Sequence, residues 1–449
     1  MYRKEENSWK ADILGTEPIG KLIWKMSIPS VIGILSYNLY NIVDTIYISR
    51  GIGAFAAGGL AVTFPLFIFL SALSSTMGAG AASIISRALG KNDIRKANKT
   101  AGNTIGFFWI VALLITIAGL VFLDQLLYGM GVTKELMPYA KPYTRIILMG
   151  AITSTGFSSL ARAEGNSRYA MYQWVFPIII NIILDPIFIF ALHQGIQGAA
   201  IATVISQSIS VFMCIYYFFI SGKSKLQIRM TDMIPDRKII SEIITIGLPS
   251  FIQMAGHGLT IVIINNALRH YGGSLTISTY GIVNKISAFI LIPLQGIVQG
   301  IQPLIGFNYG AGKASRVNET LKKSSGIAAI YGIFFSMILL VMADKFIYIF
   351  SGDTNIIQTG SYILKITCLG MAFTGINMIQ TAYFQAIGKT GTSLILSLCN
   401  YIFCFIPVML LLSLFYGLPG IWFSFPISAI ITLGISSFCI RYQRSKLSC

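Results

Sequence analysis

Charge is what this chain has least of. Only 11% of its 449 residues are Asp, Glu, Lys or Arg, against about 25% in an ordinary soluble domain. That shortage excludes a soluble globular protein. Acids are scarcest, 16 against 33 Lys and Arg, and histidine occurs three times. With so few histidines and no His-Glu-x-x-His run, a zinc protease is excluded. The six cysteines (Cys214, Cys368, Cys399, Cys404, Cys439, Cys449) form no Cys-x-x-Cys pair. They indicate neither a zinc site nor a disulfide framework. Strand-type alternation is missing, which argues against a barrel. There is no Gly-x-Ser-x-Gly elbow. Gly310-Ala311-Gly312-Lys313 lacks the first glycine and the trailing Ser or Thr of a phosphate loop, so ATP hydrolysis is not supported. No catalytic constellation is left, and the chain does not read as an enzyme.

What is present is apolar length. Hydrophobic residues make up 55% of the chain and mean hydropathy is +0.73. A helix needs about 20 apolar residues to cross the hydrocarbon. Twelve such stretches occur, at roughly 25–48, 56–84, 101–123, 140–160, 170–192, 198–220, 243–268, 277–304, 325–343, 362–384, 393–414 and 420–440. The expected fold is all-α and integral to the membrane. The first stretch follows about two dozen polar residues with no cleavage site, so a retained helix is expected rather than a signal peptide.

The basic residues then set the orientation. They gather at the N-terminus (Arg3, Lys4, Lys10, Lys21, Lys25), after the second stretch (Arg87, Lys91, Arg95, Lys96, Lys99) and in the later even-numbered connections. Odd-numbered connections hold few, such as Arg50, Lys134, Arg269 and Lys345. By the positive-inside rule both termini are cytoplasmic in a multi-pass plasma-membrane protein. The net charge of +17 is thus read as an orientation signal and a contact for anionic lipid, not as nucleic-acid binding. Asn98-Lys99-Thr100 and Asn318-Glu319-Thr320 have the form of glycosylation sequons but fall on that inner side.

The chain repeats itself. Shifted by 220 residues, the halves align without a gap for about seventy positions. Ile28-Pro29-Ser30 meets Leu248-Pro249-Ser250, Gly80 meets Gly300, and Gly90 meets Gly310. Six stretches per half give both halves one orientation, so two six-helix bundles related by a pseudo-two-fold axis along the membrane normal are expected, with a cleft between them. The expected domains are residues 1–221 and 243–449, joined by a cytoplasmic linker at 222–242. A duplicated bundle of this kind suits alternating access to a central site.

Two acids stand inside the apolar stretches, Asp44 in the first and Asp185 in the fifth. A carboxylate in the bilayer costs about 2.5–3.5 kcal/mol by insertion scales, so such residues mark a partner, a cavity or an ion path. Asp44 is placed about one turn, and Asp185 about two turns, from the outer ends of their helices. Tyr37, Tyr40, Asn41 and Asp44 share one helix face, as do Trp174, Asn181 and Asp185. Thr203 and Gln207 are one turn apart in the sixth stretch. Two carboxylates, an amide and a hydroxyl form a hard-ligand set that suits sodium, or a proton held between the acids. Asp44, Asn181, Asp185 and Thr203 are the candidate cation ligands. Tyr37, Tyr40, Asn41, Trp174 and Gln207 are candidate substrate contacts. No other metal or cofactor is indicated. Pro29, below Asp44, is a candidate hinge. The second half has no matching acids: Ile264 aligns with Asp44. It carries Lys285, His257 and amides including Gln253, Asn377 and Gln380. His257 is expected to be an interior, satisfied histidine.

These residues resemble the MATE family of multidrug and toxic compound extrusion transporters, in its DinF- and MepA-like bacterial branch. The resemblance covers the whole chain. It includes the repeated Pro-Ser pair, Arg162-Ala163-Glu164-Gly165-Asn166 after the fourth stretch, and Asn181-Ile182-Ile183-Leu184-Asp185-Pro186 in the fifth. It implies a first-half cation site at Asp44, Asn181, Asp185 and Thr203. It implies export of amphipathic, often cationic, drugs in exchange for protons or sodium, by a monomer. Where another branch of the family carries second-half acids, this chain has His257 and Asn377. The alternative within the superfamily is a flippase for a lipid-linked oligosaccharide or polyprenyl lipid. A cationic cavity and extra spans would favour that, and the two acids favour drug export.

Overall fold

A computed structural model describes residues 13–153 and 157–447. Among these, no β-strand occurs and long helices carry nearly everything. Besides the short helix Leu123–Gly129, the helices of the first half are α1 (Ile19–Gly51), α2 (Ala54–Gly90), α3 (Ile94–Val121), α4 (Met137–Met149), α5 (Ser158–Ala163), α6 (Ser167–Pro186) and α7 (Gly195–Ile215). Those of the second half are α8 (Arg237–Tyr271), α9 (Gly273–Gly310), α10 (Ala314–Tyr348), α11 (Thr354–Cys368), α12 (Met371–Ala386), α13 (Thr390–Leu398), α14 (Phe405–Tyr416) and α15 (Leu418–Leu447). Among the described residues, ten helical segments are long and apolar enough to cross a membrane. Two bent pairs, α4 with α5 and α11 with α12, bring the count to twelve. α11 and α12 meet at 46°, around Leu369-Gly370.

Local chemistry explains the helix starts. The side chains of Asp93, Asn166, Asp236 and Asp353 each accept a backbone N–H in the first turn of α3, α6, α8 and α11. These are N-caps, which satisfy donors that the helix cannot. α8 begins at Arg237, so the connection between halves ends sooner than the expected 242.

The duplication is visible in the packing. α1 lies against α9, and α2 against α8. The 220-residue shift exchanges these pairs. Glycines allow the crossings. A Cβ on Gly80 would run into the Ile243 carbonyl, and one on Gly247 into the Thr76 carbonyl. A Cβ on Gly300 would lie 2.6 Å from the Ser27 Oγ.

One end of the bundle carries the turns after α2 and α9, with Lys91, Arg95, Lys313 and Arg316; it is called here the basic end. The described hydrogen bonds between the two halves gather there. The Ser83 hydroxyl donates to the Gln385 carbonyl at 2.7 Å. Gln302 reaches the Ala79 carbonyl at 3.4 Å.

The segments that enter the two bundles also cross between them. The stretch before α1 docks on the second half. Asn308 donates to the Leu14 carbonyl at 2.9 Å, Lys313 to Gly15 at 2.9 Å, and Arg316 to Glu17 at 2.6 Å. The stretch before α8 docks on α3 of the first half. Asn103 donates to the Asp232 carbonyl at 2.9 Å and accepts the Asp236 N–H at 2.6 Å. Each bundle is thus strapped to the other at the basic end.

Candidate functional site

α1 runs to Gly51, so Asp44 stands seven residues from the helix end, about two turns rather than the one expected. Asp185 lies at a comparable depth, because the helix after Pro186 continues as a wide turn over Ile187–Ala191. The two acids therefore reach one level. Close packing of α1 on α6 brings their carboxyl groups within hydrogen-bonding reach of each other. Both are buried, Asp44 at 5% exposure and Asp185 at 0%.

The other expected ligands gather around them. Asn181 Nδ2 donates to Asp185 Oδ1 at 3.2 Å. Thr203, from α7, sits with its hydroxyl 3.3 Å from the Tyr40 hydroxyl. Asn181 and Thr203 are each 2% exposed. No protein donor reaches Asp44 Oδ1, Asp185 Oδ2 or Asn181 Oδ1. Three buried acceptor oxygens thus have no N–H or O–H donor from the protein where the two acids meet. A buried polar atom without a partner costs roughly 1–3 kcal/mol, and a hard cation removes that cost directly. The donor set is all oxygen, as sodium or a water-borne proton requires. Among the described residues no cluster of three or more His, Cys, Asp or Glu that could hold a metal ion occurs.

The aromatic candidates form the wall beside the acids. The Tyr37 ring packs edge-on to Trp174 at 5.3 Å and lies 6.2 Å from Tyr40. Trp174 is pinned by its indole N–H on the Ser158 hydroxyl at 2.8 Å. Asn41 gives its amide N–H to the Tyr37 carbonyl at 2.8 Å, which ties it to its own helix. Gln207 is half-buried on α7. Pro29 is buried within α1. One residue escaped the sequence reading: Tyr143 of α4 is buried and lies within electrostatic range of Asp44, Asp185 and Tyr40. Nothing in its own helix marks it, because its neighbours come from other helices.

The second half is built differently. Ile264, the positional match of Asp44, is fully buried in apolar packing. Asn377 donates to the Ala429 carbonyl at 3.0 Å and accepts from the Ser436 hydroxyl at 3.2 Å. It joins α12 to α15 and has no acid beside it. His257 is exposed, with its ring 6.3 Å from Tyr401. Lys285 is also exposed, and among the described residues no carboxylate lies within salt-bridge distance of it.

Known proteins resemble this chain in sequence and in fold. The MatE family model matches the chain twice, at residues 29–187 and 249–411. The multidrug export protein MepA of Staphylococcus haemolyticus is 29% identical over 96% of this chain and 95% of its own length. Its counterpart from Staphylococcus aureus (strain MRSA252) is 26% identical over the same shares. A solved outward-facing multidrug resistance MATE family transporter of the MOP superfamily superposes with a TM-score of 0.91 at 26% identity. That match covers 98% of this chain and 99% of the other. A MATE structure in a bent conformation gives 0.92. With the family's model matching most of the chain and its fold covering nearly all of it, this multi-pass helical membrane protein belongs to the MATE family of transporters.

Proposed function

We propose that the chain is a plasma-membrane antiporter that exports amphipathic, often cationic, drugs in exchange for protons or sodium by alternating access. The observation that carries this reading is the convergence of Asp44 and Asp185, from α1 and α6, in one buried pocket with Asn181, Thr203 and Tyr40. Two carboxylates this close hold a cation between them far more readily than they coexist as two buried anions. A lipophilic cation against Tyr37 and Trp174 meets aromatic faces and the field of the acids. A proton or sodium ion entering the pair cancels that field and releases the drug. The basic end is cytoplasmic in this reading, following the positive-inside rule. The contacts between halves at that end then describe a state closed to the cytoplasm. The relatives' multidrug export supports the substrate class.

The test is drug flux in proteoliposomes under separately imposed proton and sodium gradients, comparing the native protein with Asp44→Asn and Asp185→Asn. The native protein is expected to move ethidium uphill under one of the gradients, and both variants to lose that coupling. Uphill transport by both variants at the native rate sinks the assignment.

A further inference from the structure

The buried polar residues of α6 do not end at the acids. Three turns along α6 toward the basic end, Gln173 is 2% exposed, and neither its Oε1 nor its Nε2 has a hydrogen-bond partner in the protein. Gln173, Pro177, Asn181 and Asp185 follow at four-residue steps, so each lies beside the next along α6, and all four are buried. At 1.5 Å per residue, Gln173 lies roughly 12 Å below Asn181 and roughly 18 Å below Asp185 along the axis.

Pro177 changes the backbone between them. It has no N–H, so the Gln173 carbonyl loses its helical partner. The Ser210 hydroxyl of α7 takes that place, donating to the Gln173 carbonyl at 2.9 Å. The α6–α7 seam is therefore polar at two levels: the acids with Thr203, and Gln173 with Ser210. An apolar side chain of similar volume would pack at position 173 without any polar cost. An amide placed there unpaired costs roughly 1–3 kcal/mol per group unless a small polar guest pairs with it. A primary amide offers two N–H donors and one carbonyl acceptor. It can hold water in either orientation, or take a sodium ion on Oε1.

We propose that Gln173 is an inner station for the coupling cation: it holds the ion, or the water that carries the proton, between the Asp44–Asp185 pair and the cytoplasmic end. The inference rests on the cation-coupled reading above and extends it from the site to the route out of it. The station lies on the way inward, so it governs how fast the cation leaves the pair and not how tightly the pair binds it.

The experiment uses the full chain in proteoliposomes, with native protein, Gln173→Leu, Gln173→Glu and Asp185→Asn side by side. Two quantities are read: the rate of gradient-driven ethidium flux, with proton and sodium arms, and the equilibrium cation concentration that displaces bound ethidium. Gln173→Leu is expected to slow flux about tenfold, the effect of one lost hydrogen bond to a charged species. Its equilibrium midpoint stays within about twofold of native on the same reasoning. Its melting temperature is expected at or above native, since an unpaired buried amide has been removed. Gln173→Glu, which stays polar, is expected to restore most of the flux. Native flux in Gln173→Leu overturns the inference, and so does an equilibrium midpoint that moves as far as the rate. If the native protein shows no gradient-driven flux, the coupled reading itself fails. If native is coupled and Gln173→Leu matches it, only the station fails.

Discussion

Gly90, at the end of α2, lies so close to Phe307 of α9 that a Cβ on it would fall on the Phe307 carbonyl oxygen. The same contact recurs from the other side: a Cβ on Gly310 would fall on the carbonyl of Arg87. Gly90 and Gly310 correspond under the 220-residue repeat, as do Arg87 and Phe307. The two halves close on each other at the basic end through one contact used twice. A side chain at either glycine blocks that closure, because the obstacle is backbone and cannot rotate away. Gly90→Val and Gly310→Val are therefore expected to hold the basic end open. Pulsed EPR between labels at Lys91 and Lys313 measures this, with a longer mean distance in the variants than in otherwise native protein. An unchanged distance distribution would show that the glycine contact does not limit closure.

The straps before α1 and α8 predict a graded effect rather than a block. Arg316 holds the Leu14 and Glu17 carbonyls, and Asn308 holds Leu14 as well. Each such bond is worth roughly 0.5–1.5 kcal/mol net. Arg316→Ala with Asn308→Ala thus shifts the equilibrium away from the closed basic end by about tenfold or more. Ser27 is buried against Gly300 in this state, so a cysteine placed there, in a background free of other cysteines, reports the change. Its alkylation is expected to speed up by a similar factor in the double variant. An unaltered rate would mean that the straps are passive.

How much of this was legible in the sequence follows from where each signal resides. The spans were readable because hydropathy is local to each helix. Gly80, Gly90, Gly300 and Gly310 were visible as repeat positions, but their purpose as backbone crossings depends on the opposite half. Asp44 and Asp185 stood out because a charge in an apolar stretch is costly wherever it lies. Tyr143 and Gln173 did not: an uncharged tyrosine or glutamine within a helix is ordinary, and only the three-dimensional packing reveals what surrounds it. The depth of Asp44 was misjudged because α1 continues past the apolar stretch to Gly51, through polar residues that hydropathy alone does not assign to the helix.

The inequality of the halves gives a paired test. Asn181 donates to Asp185, whereas Asn377 bridges two helices through Ala429 and Ser436. Asn181→Leu is expected to weaken cation binding about tenfold, the loss of a hydrogen bond to a charged group, with little change in melting temperature. Asn377→Leu strands a buried carbonyl and is expected to cost roughly 1–3 kcal/mol of stability. The folded fraction should still couple drug to cation. Binding isotherms and thermal melts in detergent separate the two outcomes, and exchanged phenotypes would place the cation site in the second half.

Glu164 yields a prediction about pH. It sits in the connection between α5 and α6, 2% exposed. The Tyr217 hydroxyl donates to one of its oxygens, and Ser224 and the Lys225 N–H donate to the other, both at 2.9 Å. Burial pushes the carboxyl above its ordinary range, although these hydrogen bonds and the Leu226 N–H pull the other way. An acid that binds its proton more tightly when folded adds stability at low pH, and that contribution is lost as pH rises through the folded-state value. Melting temperature is therefore expected to fall as pH climbs from about 4.3, the ordinary Glu value, toward neutrality. Glu164→Gln carries no titrating proton and should flatten that slope. Its amide oxygen can keep Ser224 and the Lys225 N–H while the amide nitrogen faces the Tyr217 hydroxyl, as a protonated acid would, so the variant should melt at most slightly below native at acid pH. Glu164→Ala leaves Tyr217, Ser224 and Lys225 without their acceptor and should melt lower still. Parallel slopes in native and Glu164→Gln protein would assign the pH dependence to other groups.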